Sequence, residues 1–153
     1  MKKSLFVLLG ALMQISISGQ TTGSWGDQLN GTFINPVLNS DYSDPDVIRV
    51  DNKYYMVCSE FHFMGMHVLE SDDMVNWKII GKVYENLNFP GYDTNEKYGR
   101  GSWAPSIRFH DNKFWIYFCT PDEGLFMSSS SKAEGPWAGL SIFNLLHGRM
   151  DGL

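Results

Sequence analysis

Two aspartates flank a proline at the start of an apolar run, in the segment SDPDVIRV. Asp44 and Asp46 carry carboxyl groups, which can act as general acids or bases. On a regular strand, side chains two positions apart lie on the same face, where two carboxylates resist joint ionisation. A bend at Pro45, which fixes φ, or a hydrogen-bonded partner would relieve the repulsion. Ser-Asp-Pro-Asp is also good turn chemistry, and spacing alone favours the turn.

The elements around these aspartates form a repeat. The segment PDVIRVDNKYYMVCSE (45–60) aligns without a gap on PSIRFHDNKFWIYFCT (105–120), at an offset of 60. The same offset places Trp77 on Trp137. A repeat on this scale indicates an array of supersecondary units, and the two tryptophans are expected to pack within them.

Each repeat unit shows a strand pattern. DVIRV and YYMVCSE alternate β-branched and aromatic residues around a polar DNK turn, which is typical of a hairpin. MHVLESDD and WKIIGKVY predict two further strands. Four short antiparallel strands, repeated in order, describe a β-propeller blade. A sandwich also has short strands but does not explain the in-phase repeat, so we predict an all-β propeller.

The repeat accounts for only about two blades. Blade one is expected at about 44–84 and blade two at about 103–145, within a domain that occupies residues 20–153. Propellers close with about four to eight blades, and open sheet edges are avoided in soluble proteins. We therefore expect this chain to be the N-terminal portion of a longer protein.

The first 19 residues differ from the rest. Lys2 and Lys3 precede an apolar run, and small residues follow it, which is typical of a secretory signal peptide and too short for a membrane span. A buried N-terminal helix is the alternative. Removing these residues changes the net charge from −5 to −7, because two lysines and no acids are lost. We expect export to the periplasm or the extracellular space, and an acidic domain that does not bind nucleic acid.

The positions of the cysteines and histidines do not indicate a cofactor-binding or metal-binding site. Cys58 and Cys119 lie in apolar strand patterns, where a buried free thiol is favoured over a disulfide. The four histidines show no metal-ligand spacing; they are His62, His67, His110 and His147.

Several motifs in order resemble glycoside hydrolase family 43. They are NPVLNSDYSDPDVIRVDNKYYMVCSEF, HVLESDDMVNWKIIG and GSWAPSIRFHDNKFWIYF, and the resemblance covers about residues 35–137. It implies a five-bladed β-propeller that hydrolyses xylan- or arabinan-derived saccharides with inversion. It further implies three carboxyl groups, namely a base, a proton donor and one that tunes the donor's pKa.

The resemblance assigns the base to Asp44, the aspartate before proline at the start of blade one. Such a base takes a proton from the water that attacks the anomeric carbon, with the proton donor standing apart from it. Asp46 is not an acid throughout the family, so a turn or strand role is expected for it.

The resemblance also implies two aromatic walls for the sugar pocket. Trp103 matches a tryptophan beside the sugar, where its indole would stack on a pentose ring. Phe61 matches an aromatic that often walls the same pocket. Core packing is the alternative for both residues.

The other two carboxyl groups of the family are less well matched. Asp151, followed by Gly152 instead of the family's proline, is a candidate for the pKa-tuning carboxylate. An unrelated acid near a frayed terminus is the alternative. The general acid has no counterpart, because Glu123 and Glu134 do not match its context.

The resemblance therefore implies a secreted β-xylosidase or α-L-arabinofuranosidase that acts on plant polysaccharide-derived oligosaccharides. Without its proton donor, the 153-residue polypeptide is expected to be inactive alone. Two alternatives stay open. One is a non-catalytic, carbohydrate-binding propeller, and the other is a purely structural exported repeat protein.

Overall fold

The fold is described here from a computed structural model. It describes residues 25–62, 64–144 and 149–152, and the side chains of residues 144 and 149–152 are not described. The predicted signal segment, residues 1–19, lies outside these ranges. In the described ranges, nine strands form two antiparallel sheets, in the orders β1-β2-β3-β4 and β5-β6-β7-β8-β9.

The first sheet contains the four strands predicted for blade one. Their bounds are β1 Asp46–Val50, β2 Lys53–Val57, β3 His67–Ser71 and β4 Trp77–Lys82. The DNK turn closes the predicted hairpin, with Val50 opposite Lys53. Asp51 adopts a φ of 53° in this turn, a conformation that Asp tolerates better than most residues.

The second sheet repeats this arrangement and adds a fifth strand. Its strands are β5 Trp103–His110, β6 Lys113–Thr120, β7 Gly124–Ser130, β8 Ser141–Asn144 and β9 Arg149–Gly152. The hairpin of β5 and β6 again closes at a DNK turn, with His110 opposite Lys113. The predicted all-β fold is confirmed.

The two sheets pack face to face around one apolar core. Strands contribute every second side chain to it, as the period of two requires. Its fully buried members include Val57 and Val68 from the first sheet, and Ile107, Ile116 and Phe126 from the second. Trp137 packs against this core.

A smaller cluster lies on the other face of the first sheet. Met56, Cys58 and Leu69 are buried there, and Trp77 packs against them. Both predicted packing roles for the repeated tryptophans are therefore confirmed. Cys58 is a buried free thiol, whereas Cys119 is free but only half-buried.

The backbone of β4 approaches the connection between β7 and β8 closely at Gly81. An added Cβ there would lie 2.3 Å from the carbonyl oxygen of Glu134, so only glycine fits against this connection. No helix in the part of the chain that the structure describes is long and apolar enough to cross a membrane.

Candidate active site

Asp44 lies two residues before β1, at one end of the first sheet, and its side chain is exposed. Its φ of 50° departs from the strand conformation that Asp46 adopts two residues later. Asp44 lines a cavity of about 420 Å³ together with Phe61, Gly99, Trp103 and Ala104. The structure thus brings together three of the residues that the sequence indicated.

Asp46 has different surroundings, although it is only two positions away. Its Oδ2 accepts hydrogen bonds from the backbone N–H of Ile107, at 2.8 Å, and from Nη1 of Arg108, at 2.6 Å. Both donors belong to β5, so Asp46 ties the first sheet to the second. The bend and the separate partners relieve the carboxylate repulsion expected from a regular strand.

The carboxylate of Asp44 is held by a serine. The hydroxyl of Ser59 donates a hydrogen bond to Oδ2 of Asp44 at 2.7 Å, and Oγ of Ser59 accepts one from the backbone N–H of Ala104 at 2.8 Å. The neighbouring thiol is buried, and burial, assisted by the negative charge of Asp44, raises the pKa of Cys58 to about 12.

Trp103 is the first residue of β5 and is 39% exposed. Its indole N–H donates a hydrogen bond to the carbonyl oxygen of Gly99 at 2.9 Å. This bond satisfies the polar edge of the indole and orients the ring on the cavity wall. A partly exposed tryptophan on the wall beside a carboxylate can stack on the apolar face of a sugar.

Phe61 is half-buried and follows a buried acid, Glu60, which is 7% exposed. The Glu60 carboxylate accepts hydrogen bonds from the backbone N–H groups of His62, at 2.7 Å, and Met64, at 2.8 Å. Through these bonds Glu60 fixes the segment that carries Phe61 beside Asp44.

The loop before β5, which supplies Gly99, is anchored by ion pairs. Asp122, on the β6–β7 turn, contacts Arg100 at 2.5 Å and Lys97 at 3.2 Å. Hydrogen bonds from Arg100 and then Lys97 lower the pKa of Asp122. The loop is also held by the hydroxyl of Tyr92, which donates to Glu123 at 3.0 Å.

The side chain of Asp151 lies outside the described part of the structure. Its backbone lies on β9, opposite Ile142, at the edge of the second sheet farthest from β5. The role suggested for Asp151 stays a prediction.

A metal site is not evident in the described part of the chain, where no three His, Cys, Asp or Glu side chains cluster to hold an ion. Sequence reasoning missed Ser59 and Glu60. An acid at the end of a buried strand was a usable signal for Glu60, since a buried carboxylate needs partners. No comparable signal marked Ser59.

The sequence of this chain is similar to the sequences of several known proteins. A protein described as "Putative beta-xylosidase", from Xylanibacter ruminicola, is 60% identical over 121 residues, which are 79% of this chain and 22% of the relative. A non-reducing end alpha-L-arabinofuranosidase of Bacteroides ovatus is 34% identical over 113 residues, or 70% of this chain and 21% of the relative. The chain thus spans about a fifth of the length of these curated relatives.

A solved structure is also similar. The bifunctional GH43-CE protein of Bacteroides eggerthii superimposes with a TM-score of 0.64 at 28% identity, over 76% of this chain and 19% of that one. The model for glycosyl hydrolases family 43 matches residues 33–148. This chain belongs to glycosyl hydrolases family 43.

Proposed function

We propose that the whole protein is an inverting glycoside hydrolase that removes terminal xylosyl or arabinofuranosyl units from plant polysaccharide-derived oligosaccharides. The main observation that supports this proposal is that the exposed carboxylate of Asp44 lines the same cavity as two aromatic residues, Trp103 and Phe61. The names of two relatives, a beta-xylosidase and an alpha-L-arabinofuranosidase, support this substrate class.

In this proposal Asp44 is the general base. Its carboxylate takes a proton from a water molecule as that water attacks the anomeric carbon, while the glycosidic oxygen leaves from the opposite face with a proton from the general acid. Trp103 and Phe61 hold the sugar ring in position for the attack. Holding the reactants together in this way lowers the entropic part of the barrier.

The general acid is not expected among the residues described here. In inverting enzymes the two carboxyl groups stand about 6.5–9.5 Å apart, and Asp44 is the one acid among the described residues that line the cavity. We therefore expect the proton donor from a part of the relatives' length that this chain does not span.

The test uses a chimera in which the matching segment of the Xylanibacter ruminicola relative is replaced by the corresponding residues of this chain. Asp44→Asn should lower kcat on aryl xylosides or arabinofuranosides by roughly 10²–10⁴-fold, because the base is lost. The matched control is Asp51→Asn, at the other end of β1, where Asp51 is also exposed and has a φ of 53°. It should keep the activity of the unmodified chimera.

Two outcomes would contradict the proposal. If Asp44→Asn kept full activity, Asp44 would not be the base. If the unmodified chimera bound xylo-oligosaccharides but hydrolysed none, and the binding survived Asp44→Ala, the protein would be a carbohydrate-binding module.

We also propose that the protein is exported. The support is the basic, apolar and small-residue order of residues 1–19, which is typical of a secretory signal peptide. Expression in a Gram-negative host should yield periplasmic protein with a shortened N-terminus, identified by mass spectrometry. Leu8→Arg, which interrupts the apolar run, should leave the protein uncleaved in the cytoplasm. An uncleaved and cytoplasmic parent protein would overturn this proposal.

A further inference from the structure

Two consecutive hydrogen bonds, which link three residues, join the two sheets at the cavity. They run from the backbone N–H of Ala104 to Oγ of Ser59 at 2.8 Å, and from the Ser59 hydroxyl to Oδ2 of Asp44 at 2.7 Å. An amide N–H can only donate, so it occupies a lone pair of the hydroxyl oxygen. The hydroxyl proton is thereby directed at the carboxylate.

Ser59 holds the chain around Asp44 at a second point. Its backbone N–H donates to the carbonyl oxygen of Ser43 at 2.9 Å. The residue before Asp44 and the carboxylate of Asp44 are therefore both bonded to Ser59. These two bonds restrict both the position and the rotation of the Asp44 side chain.

The two residues that the Ser59 hydroxyl contacts have unusual backbones. Asp44 has a φ of 50° and Ala104 a φ of 41°. Left-handed backbone conformations of residues other than glycine cost free energy and persist where surrounding contacts hold them. The pairing of β5 with β6 is irregular between Trp103 and Ser106, and this irregularity contains Ala104.

The other carboxylate oxygen is left for the reaction. Within the described parts of the chain, no hydrogen bond reaches Oδ1 of Asp44, and Asp44 is exposed to the cavity. One oxygen is thus held by Ser59 while the other can accept a proton from water. Ala104 directly follows Trp103, so the same bonds relate the carboxylate to the indole wall.

We propose that Ser59 is a positioning residue, which holds the Asp44 carboxylate at a set orientation and distance from the Trp103 wall. This inference rests on the proposed function, because it assigns to Asp44 the role of base. Small displacements of reacting groups are costly in enzymes, and about 1 Å can lower the rate by about 10²-fold. Loss of the hydroxyl should therefore slow the chemical step more than it weakens substrate binding.

The test measures kcat and KM for an aryl xyloside in the chimera defined above. Ser59→Ala should lower kcat by about tenfold or more, with KM changed by less than about threefold, since the alanine cannot orient the carboxylate. Ser59→Thr keeps a hydroxyl and should recover most of the lost kcat. Ser129→Ala, at a half-buried serine of β7 outside the cavity lining, should behave like the unmodified chimera.

A second variant keeps the test decisive if Ser59→Ala does not fold. Ser59→Cys has nearly the size of serine but is a weak donor, so its kcat should fall like that of the alanine variant. Unchanged kcat in Ser59→Cys or Ser59→Ala would overturn the inference. A second result would also overturn the inference: Ser59→Ala lowers both kcat and the thermal midpoint of unfolding, and Ser59→Thr recovers neither. That result would show that Ser59 has only a structural role.

The failure of this inference can be told apart from failure of the proposed function. If Asp44→Asn abolishes turnover while Ser59→Ala leaves kcat intact, only the positioning role of Ser59 is wrong. If Asp44→Asn leaves turnover intact, or if the unmodified chimera is folded and inactive, the proposed function is wrong and the role of Ser59 is wrong with it.

Discussion

Glu60 and Ser102 exchange both of their backbone hydrogen bonds, at 2.9 and 3.0 Å, across the boundary between the two sheets. This isolated antiparallel bridge joins the end of the first hairpin to the residue before Trp103. It therefore sets the separation between the segment carrying Phe61 and the strand carrying Trp103. The cavity walls owe their spacing to a backbone contact and not to side-chain packing alone.

The bridge requires a glycine beside it. A Cβ at Gly101 would lie 1.9 Å from the carbonyl oxygen of Glu60, and backbone cannot move aside cheaply. Gly101→Ala should lower the free energy of unfolding of the purified chain by about 1–3 kcal/mol, as expected when a fixed contact is overpacked. Denaturant-induced unfolding followed by tryptophan fluorescence would measure it.

Gly139→Ala is the matched control for this substitution. Among the described residues, no atom beyond its chain neighbours lies within 4 Å of the Cβ that it would add, so its effect should be within about 1 kcal/mol of zero. Equal stability of the two variants would show that the bridge at Glu60 can shift without cost.

Trp103 should contribute to substrate binding. Trp103→Ala in the chimera removes an apolar wall of the cavity, and losing such a contact surface, worth about 1.5–3 kcal/mol, should raise KM for aryl xylosides roughly ten- to hundredfold. Tyr117→Ala is the control, because Tyr117 is 37% exposed, close to the 39% of Trp103, but does not line the cavity. An unchanged KM for Trp103→Ala would assign the indole to packing.

Asp73 should make stability depend on pH in acid. Burial would raise its pKa, but hydrogen bonds from Asn76, Val75 and Ser71 outweigh burial, and the pKa of Asp73 is lowered from 3.8 to about 2. The folded state therefore binds fewer protons than the unfolded state in this range. The stabilisation is present above pH 3.8 and is lost as the pH falls through about 2.

Asp73→Ala should accordingly cost about 1 kcal/mol near neutral pH, a small value because Asp73 is exposed and solvent screens the interaction. The difference from the parent chain should shrink as the pH falls toward 2 in denaturant titrations. A pH-independent cost for Asp73→Ala would contradict the prediction.

Cys58 should resist alkylation in the folded chain. Burial and then the charge of Asp44 raise the pKa of Cys58 to about 12, so roughly one thiol in ten thousand is ionised near pH 8. Mass spectrometry after iodoacetamide treatment should find Cys119 labelled first, and both cysteines labelled in denaturant. Asp44→Asn should leave Cys58 protected, because burial is the larger cause; rapid labelling of Cys58 in the parent chain would contradict its buried position.

The strand content of this protein was predictable from local sequence. The alternation of DVIRV and YYMV determines which side chains face the core, and the DNK turn closes each hairpin, because both depend on residues near each other in the chain. The repeat at an offset of 60 likewise indicated two similar units. The pocket roles of Trp103 and Phe61 came from the family resemblance, since spacing alone could not distinguish a pocket wall from core packing.

The fifth strand and the hydrogen bonds of the site depended on tertiary structure. Asp44 and Asp46 look equivalent in sequence, yet a positive φ at Asp44 sends one carboxylate to the cavity while Asp46 bonds β5. Ser59 joins Asp44 to Ala104 only because the two sheets meet there. Local residue preferences determined the strands, but contacts between distant segments determined which carboxylate faces the cavity and what holds it, because those contacts form only when the sheets pack together.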